Sequence, residues 1–257
     1  MATLLAGLFR MIAWLTHHLP LSDGTLVGGA EMTDKKILDK APVDVDVIHT
    51  DQWQRALDYE KVVISGTDLL TQGAMKRLSK KKPVIAIHHK QTRNPGRKLL
   101  MDSASKLICH TPKHLEIELS WTNPDKSTWV LSEHNPAEYK QKPKEDFALW
   151  AARMHEQKGP MQAIQWAEDR SIYLMMLTKK PRVKVLEAMS RAKHFVFFPQ
   201  DFDAEPRTII EAVFSGCEVH TNDLAGVTSI EGWRNPEVLA PLVENSTDRL
   251  WAEVLDA

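Results

Sequence analysis

Apolar residues along this chain gather in short runs of strand length, separated by stretches with helical spacing. The first half carries MIAWLT (11–16), VDVDVIHT (43–50), KVVISG (61–66), PVIAIHH (83–89), KLICHT (106–111) and TWVLS (128–132). Between several of them the spacing predicts helices over 29–39, 68–81 and 112–120. Continuous Val/Ile runs that alternate with helices predict a parallel sheet covered on both faces, a doubly wound α/β unit. A polar segment rich in Pro and Lys, SEHNPAEYKQKPKED (132–146), breaks the pattern and is expected to be a linker. The alternation then restarts. Strands are predicted at 147–153, 172–177, 194–199 and 217–222, with helices at 159–169, 181–192 and 206–215. The tail STDRLWAEVLDA has Ser246 or Thr247 as N-cap of a last helix. The expected organisation is therefore two α/β domains, 1–135 and 136–257, with the last helix free to pack back on the first. In such sheets ligands bind beyond the carboxyl ends of the strands, so the cleft between the halves is the expected site.

Composition changes this picture little, and charge constrains it. A length of 257 residues allows two domains at the small end of the usual range. The formal net charge of −1 gives no global attraction to polyanions, so any phosphate or nucleic-acid binding must come from local clusters. Cys109 and Cys217 both lie in apolar runs, and are expected to be small core residues of a cytoplasmic protein rather than a disulfide. The opening MATLLAGLFRMIAWLTH is too short to span a bilayer. It also lacks a basic residue ahead of its apolar run and a small-residue cleavage pattern, so no signal peptide and no membrane insertion are expected. Residues 1–10 are read as an extension ahead of the first strand.

Polar clusters fall at predicted strand ends. After the first strand come His17 and His18, then Gly28 and Gly29 at the mouth of a helix, where backbone N–H groups can meet a phosphate unless the pair is a plain turn. After the fourth come His88, His89, Lys90, Arg93, Arg97 and Lys98, a basic loop on the cleft side or a solvated one. The SKKK run at 79–82 precedes its strand and belongs to the opposite rim. Arg153 and Lys158 sit at the mouth of the next helix and could clamp a diphosphate. Near the end, Asp203, Glu205 and Glu211 surround Arg207 at the start of an apolar helix. Acid there suits the helix dipole, or it accepts hydrogen bonds from sugar and ribose hydroxyls.

GGAE after the first strand, ARMHEQKGPMQAI after the linker and DAEPRTIIEAVFSGCEVHTND near the end resemble, in order and spacing, three signature regions of retaining GT-B glycosyltransferases. The resemblance is to the group 1, family 4-like members and covers most of residues 11–235. It implies two Rossmann-like domains facing a cleft, the first for acceptor and the second for a nucleotide-sugar donor. Arg153 and Lys158 match the arginine and lysine that bind the donor diphosphate in that family, with Gly28, Gly29 and Arg207 also on the donor side. Of the family's two glutamates eight positions apart, Glu211 matches the one at the ribose. The sugar-contacting partner would be Asp203, or Glu205 if two residues are deleted. A strand-end histidine, His89 or its neighbour His88, would orient the sugar. Two departures stand out. A strand and helix usual between IYLMML and PRVKVLEAMSRAK are replaced by TKK, which unsettles the nucleobase contacts, and Ala152 stands where a glycine usually precedes the arginine.

The resemblance implies a metal-independent transferase without a cofactor other than its donor. VDVDV does contain an Asp-x-Asp spacing in Asp44 and Asp46, but inside an early strand. The compactness resembles small virus-encoded members, some of which glycosylate hydroxymethylated pyrimidines in DNA. His17, His18, Lys90, Arg93, Arg97 and Lys98 would then serve the acceptor, the cations meeting a phosphate backbone. A cell-envelope glycan or small metabolite is the alternative acceptor. A degenerate module that binds a nucleotide sugar or nucleic acid without turnover is the alternative function.

Overall fold

The computed structural model describes residues 12–17, 29–67, 69–86 and 93–257. The expectations placed on 1–11, His18, Gly28, His88, His89 and Lys90 lie outside the described residues. The chain divides into two compact units. One comprises the described residues up to His110, then 114–130 and 246–257; the other comprises 111–113 and 131–245.

The first unit is a six-stranded, all-parallel sheet: β1 (Ile12–Thr16), β2 (Val45–His49), β3 (Lys61–Ile64), β4 (Val84–Ala86), β5 (Lys106–Cys109) and β6 (Ser127–Trp129), in the order β2-β1-β3-β4-β5-β6. Alternate residues of each strand face opposite layers. Ala13, Leu15, Val62, Ile64, Ile85 and Leu107 pack on one side with α2 (Gln72–Leu78) and α3 (Pro95–Asp102). Ile12, Trp14, Val63, Val84 and Ile108 pack on the other with α1 (Gly29–Asp39) and the last helix, which we number α9 (Ser246–Leu255). Burial on both faces is why these strands are apolar without alternation. α9 is held to the first sheet by Trp251, whose ring lies 5.8 Å from that of Trp14 and whose indole N–H donates to the Ile37 carbonyl at 2.8 Å. Lys106, 3% exposed, reaches the same helix through Glu253 at 2.7 Å and the residue just past its end, Asp256, at 3.2 Å. α4 (Pro112–Leu119) follows β5.

The second unit is a four-stranded parallel sheet of β7 (Glu145–Ala151), β8 (Tyr173–Leu177), β9 (Ala192–Val196) and β10 (Glu218–His220), ordered β10-β9-β7-β8. Its helices are α5 (Pro160–Glu168), α6 (Arg182–Arg191), α7 (Arg207–Phe214) and α8 (Pro236–Val243). The central strand β7 is buried from Phe147 to Ala151, and α7 buries Ile209 to Phe214 against the core. Among the described residues no strand lies beyond β8, which stands at the sheet edge, half-buried, with Tyr173 exposed.

Two expectations are corrected. The 132–146 segment is not a free linker: Ser132, His134 and Tyr139 are buried, and Lys144 Nζ donates to the carbonyls of Met189, Ser190 and Ser215, so the segment belongs to the second unit. The basic stretch near 90–98 is in part the helix α3, with Asn94 as N-cap accepting from the Arg97 N–H at 2.9 Å and Pro95 in the first turn. Among the described residues no helix is long and apolar enough to cross a membrane.

Candidate donor-binding site

Strand order in the second sheet turns at β7, which has β8 on one side and β9 on the other. The crevice of such a sheet opens beyond the carboxyl ends of the strands at that turning point, here Ala151 and Val196. The chain places Arg153 two residues past β7, exposed and making no hydrogen bond or ion pair with the described residues. His155 then caps a 3-10 turn (Glu156–Lys158), its Nδ1 accepting from the Gln157 N–H at 3.3 Å. Trp150, fully buried in β7, donates its indole N–H to the Lys158 carbonyl at 3.2 Å and so ties that turn to the sheet. Gly159 follows at φ +64°, and a Cβ there would lie 1.9 Å from the Phe198 carbonyl oxygen. Only glycine fits both the left-handed backbone and that approach. Pro160 opens α5, whose N-terminus has no side-chain cap, so its first-turn N–H groups remain available to an anion. A shallow hollow of about 310 Å³ lies at this helix start, lined by Met154, His155, Glu156, Pro160, Met161 and Gln162.

Asp203 meets this cluster. Its Oδ2 lies 2.5 Å from Lys158 Nζ, and the lysine rests 5.9 Å from the centroid of Phe197. The backbone of Asp203 is fixed on both sides, its N–H donating to the Leu224 carbonyl at 2.9 Å and its carbonyl accepting from Gly226 at 2.7 Å. Glu205, the other candidate for a sugar contact, is 9% exposed and accepts from the Ser132 N–H (3.0 and 3.1 Å) and hydroxyl (2.7 Å). The two carboxylates therefore have different jobs: Asp203 joins the lysine, and Glu205 holds the segment that leads into β7.

Glu211, expected at a ribose, is 4% exposed and ion-paired to Arg182 Nε at 3.2 Å. Arg182 also donates to Glu138 (3.2 Å) and to the Tyr139 hydroxyl (3.1 Å). Burial and the charge of Glu211 push the Tyr139 phenol well above its ordinary range, while Arg182 and Arg207 pull it back, which places Arg207 in the same electrostatic neighbourhood. In this structure the Glu211 carboxylate thus accepts from Arg182 on Oε1. Arg182 and Tyr139 gave no signal in the sequence. One opens a helix after the shortened TKK loop, and the other sits in the segment read as a linker.

In the first unit, the turning point lies between β1 and β3. His17 follows β1, half-buried, with its ring against Gly66, where a Cβ would come within 2.5 Å of Nδ1. Gly29 opens α1. Asp34, buried on α1 and not singled out in the sequence, accepts from the hydroxyls of Thr16 (2.8 Å) and Ser65 (3.0 Å) at the same edge. Of the acceptor-side cations, Arg97 is corrected: at 1% exposure it lies inside the α3 packing and presents no charge to a phosphate backbone. Lys98 is exposed and paired with Asp102 at 2.6 Å on its own helix. Arg93 donates to the Ile117 carbonyl and the Ser120 hydroxyl and stacks 5.5 Å from the Trp121 ring.

The sequence matches no protein-family model and no curated protein. The fold does find counterparts. It is similar to sucrose-phosphate synthase from Thermosynechococcus elongatus, with a TM-score of 0.69, 10% identity and coverage of 96% of this chain and 99% of that one. It is also similar to Anabaena HepE crystallised with UDP and glucose (TM-score 0.64, 13% identity, 96% and 99% covered). A third similar structure is an alpha-glucosyltransferase in complex with UDP and a 13-mer DNA containing an HMU base (TM-score 0.53, 10% identity, 95% and 94% covered). With its two parallel sheets, each turned at its first strand, the chain has the GT-B fold of glycosyltransferases.

Proposed function

We propose that this protein is a nucleotide-sugar-dependent glycosyltransferase whose donor binds at the carboxyl edge of β7 and β9. The observation that carries this reading is the placement, past the carboxyl ends of the strands at the turning point of the second sheet, of Arg153 two residues beyond β7, of Lys158 paired with Asp203, and of the uncapped start of α5. Two of the similar structures hold UDP, a ligand of the same class. Arg153 and Lys158 would neutralise the leaving diphosphate, helped by the first-turn N–H groups of α5, and this removes the need for a metal at the phosphate. Asp203 would accept hydrogen bonds from the sugar hydroxyls, held by the lysine at its flank.

Transfer breaks the bond between the anomeric carbon and the phosphate oxygen and forms one to the acceptor oxygen on the same face. The acceptor proton passes to the leaving phosphate, and the configuration is retained. Glu211, which accepts from Arg182 on one oxygen, would accept from the donor's ribose hydroxyls on the other.

For the acceptor, we propose a hydroxymethylated pyrimidine in DNA, supported by the similarity to the glucosyltransferase crystallised with DNA. The burial of Arg97 reduces the cations available for a phosphate backbone, so contact with DNA is expected to be weak and salt-sensitive. The test is incubation with UDP-glucose and other nucleotide sugars against duplexes bearing hydroxymethylcytosine or hydroxymethyluracil, with simple glycans and small alcohols in parallel, followed by mass measurement. A hexose mass on a modified base supports the DNA acceptor. Transfer only to a glycan or alcohol replaces it, and donor binding without transfer to any acceptor would leave a binding module.

A further inference from the structure

On the neighbouring strands β9 and β10, the second unit brings together side chains that the proposed transfer does not use. Among the described residues, one group of His, Cys, Asp and Glu side chains offers three donor atoms within 4.8 Å of one another: His194 on β9 and Glu218 and His220 on β10. Neighbouring parallel strands explain it. Glu218 pairs in register with His194, and His220, two residues further along, points to the same face. The separations are 3.1 Å from His194 Nδ1 to His220 Nε2, 3.3 Å from His194 Nδ1 to Glu218 Oε2, and 3.6 Å from His220 Nε2 to Glu218 Oε1. A tetrahedral ion bound at about 2.0–2.1 Å needs ligand atoms roughly 3.3 Å apart. The two nitrogens and the Glu218 carboxylate, one oxygen of which lies near each nitrogen, therefore stand close to the corners of one face of such a tetrahedron.

Glu218 brings negative charge to the site, against the positive charge of Arg170 and Arg234 around His220. Trp166 of α5 packs against the imidazoles, with ring centroids 5.5 Å from His194 and 4.4 Å from His220. His194 is nearly buried, whereas the Glu218 side chain is 62% exposed, so the fourth position opens to solvent. Two nitrogens and one carboxylate select a zinc-type divalent ion over magnesium or calcium, which prefer all-oxygen shells.

We propose that His194, Glu218 and His220 form a binding site for a divalent transition-metal ion of the zinc class, which fastens the edge strand β10 to β9. β10 runs on into the turn whose Leu224 carbonyl and Gly226 N–H hold the backbone of Asp203, so the ion steadies the support of the proposed sugar contact without touching the donor. The site stands on its own geometry, independent of the glycosyltransferase reading.

The test uses the full chain freed of metal by EDTA and dialysed. Zn²⁺ is titrated calorimetrically, and Co²⁺ is added as a spectroscopic probe of tetrahedral N/O ligation. The variants are Glu218→Gln, which is exposed and conservative, and His220→Ala. Wild type should bind Zn²⁺ and melt at a higher temperature with it. Both variants should lose more than about a hundredfold in affinity, beyond the usual effect of losing an outer-shell partner alone. Both should also lose the Co²⁺ ligand-field bands. The sequence has 11 histidines, so zinc bound equally by wild type and both variants would assign the metal elsewhere and overturn the proposal. No binding by wild type overturns it as well.

Discussion

Replacing Glu205 and Asp203 in turn should separate two carboxylates that the sequence could not tell apart. Glu205 accepts a backbone N–H and a hydroxyl from Ser132, itself 4% exposed, in bonds of 2.7–3.1 Å. Hydrogen bonds to a charged group contribute roughly 1.5–3 kcal/mol each, so Glu205→Ala should cost on the order of 3–6 kcal/mol. Asp203 pairs with Lys158 where the side chains are 18% and 36% exposed, and a partly solvated pair of this kind is screened to below about 1 kcal/mol. In urea, with a slope of about 1–3 kcal/mol per molar, Glu205→Ala should move the unfolding midpoint down by roughly 2 M, and Asp203→Ala should barely move it. Glu205→Gln keeps one acceptor oxygen and should fall between. Asp203→Ala should instead stay folded and lose transfer. Equal midpoints for the two alanine variants would refute this division of labour, as would a stable Glu205→Ala protein that has lost donor binding while Asp203→Ala keeps it.

Two further outcomes follow from single residues. Gly159→Ala must force an L-residue into the left-handed region, at about 1–2 kcal/mol, and also push back the Phe198 carbonyl. Its urea midpoint and its affinity for UDP should fall together, and an unchanged affinity would detach the turn from the site. Burial raises the Cys217 thiol from its ordinary 9.0 to about 11, against the pull of Lys144. The neutral thiol is thus favoured by folding, so its contribution to stability is complete below pH 9 and is lost as pH rises through about 11. At pH 8 only roughly one thiol in a thousand is ionised, and alkylation of Cys217 in the folded chain should be correspondingly slow; reaction at the rate of a free thiol would contradict it.

The strand and helix pattern was legible because both sheets are buried on two faces, which leaves long apolar runs at strand positions. α1 spans 29–39, as its spacing predicts. What escaped has a common physical cause: Asn-Pro, a turn signal in sequence, is also an N-cap followed by a first-turn proline. Asn94-Pro95 starts α3 and Asn235-Pro236 starts α8 in this way. The polar character of 132–146 hid its packing, since Glu138, Tyr139 and Lys144 pair with partners 43–71 residues away in sequence. The same non-locality separates site residues from their roles. The position of Arg153 and Lys158 after β7 could be read from spacing. The pairing of Glu211 with Arg182, 29 residues apart, and of Glu205 with Ser132, 73 apart, could not.

The central claim is that Arg153 and Lys158 hold a nucleotide diphosphate at the carboxyl edge of the second sheet. Calorimetric titration of UDP into the full chain, in EDTA to remove any metal contribution, tests it most directly. Wild type should bind, and Arg153→Ala and Lys158→Ala, both folded, should each weaken binding by roughly tenfold or more, the loss expected of one charge-assisted contact. UDP affinity unchanged in both variants, or no binding by wild type in EDTA, would contradict the account.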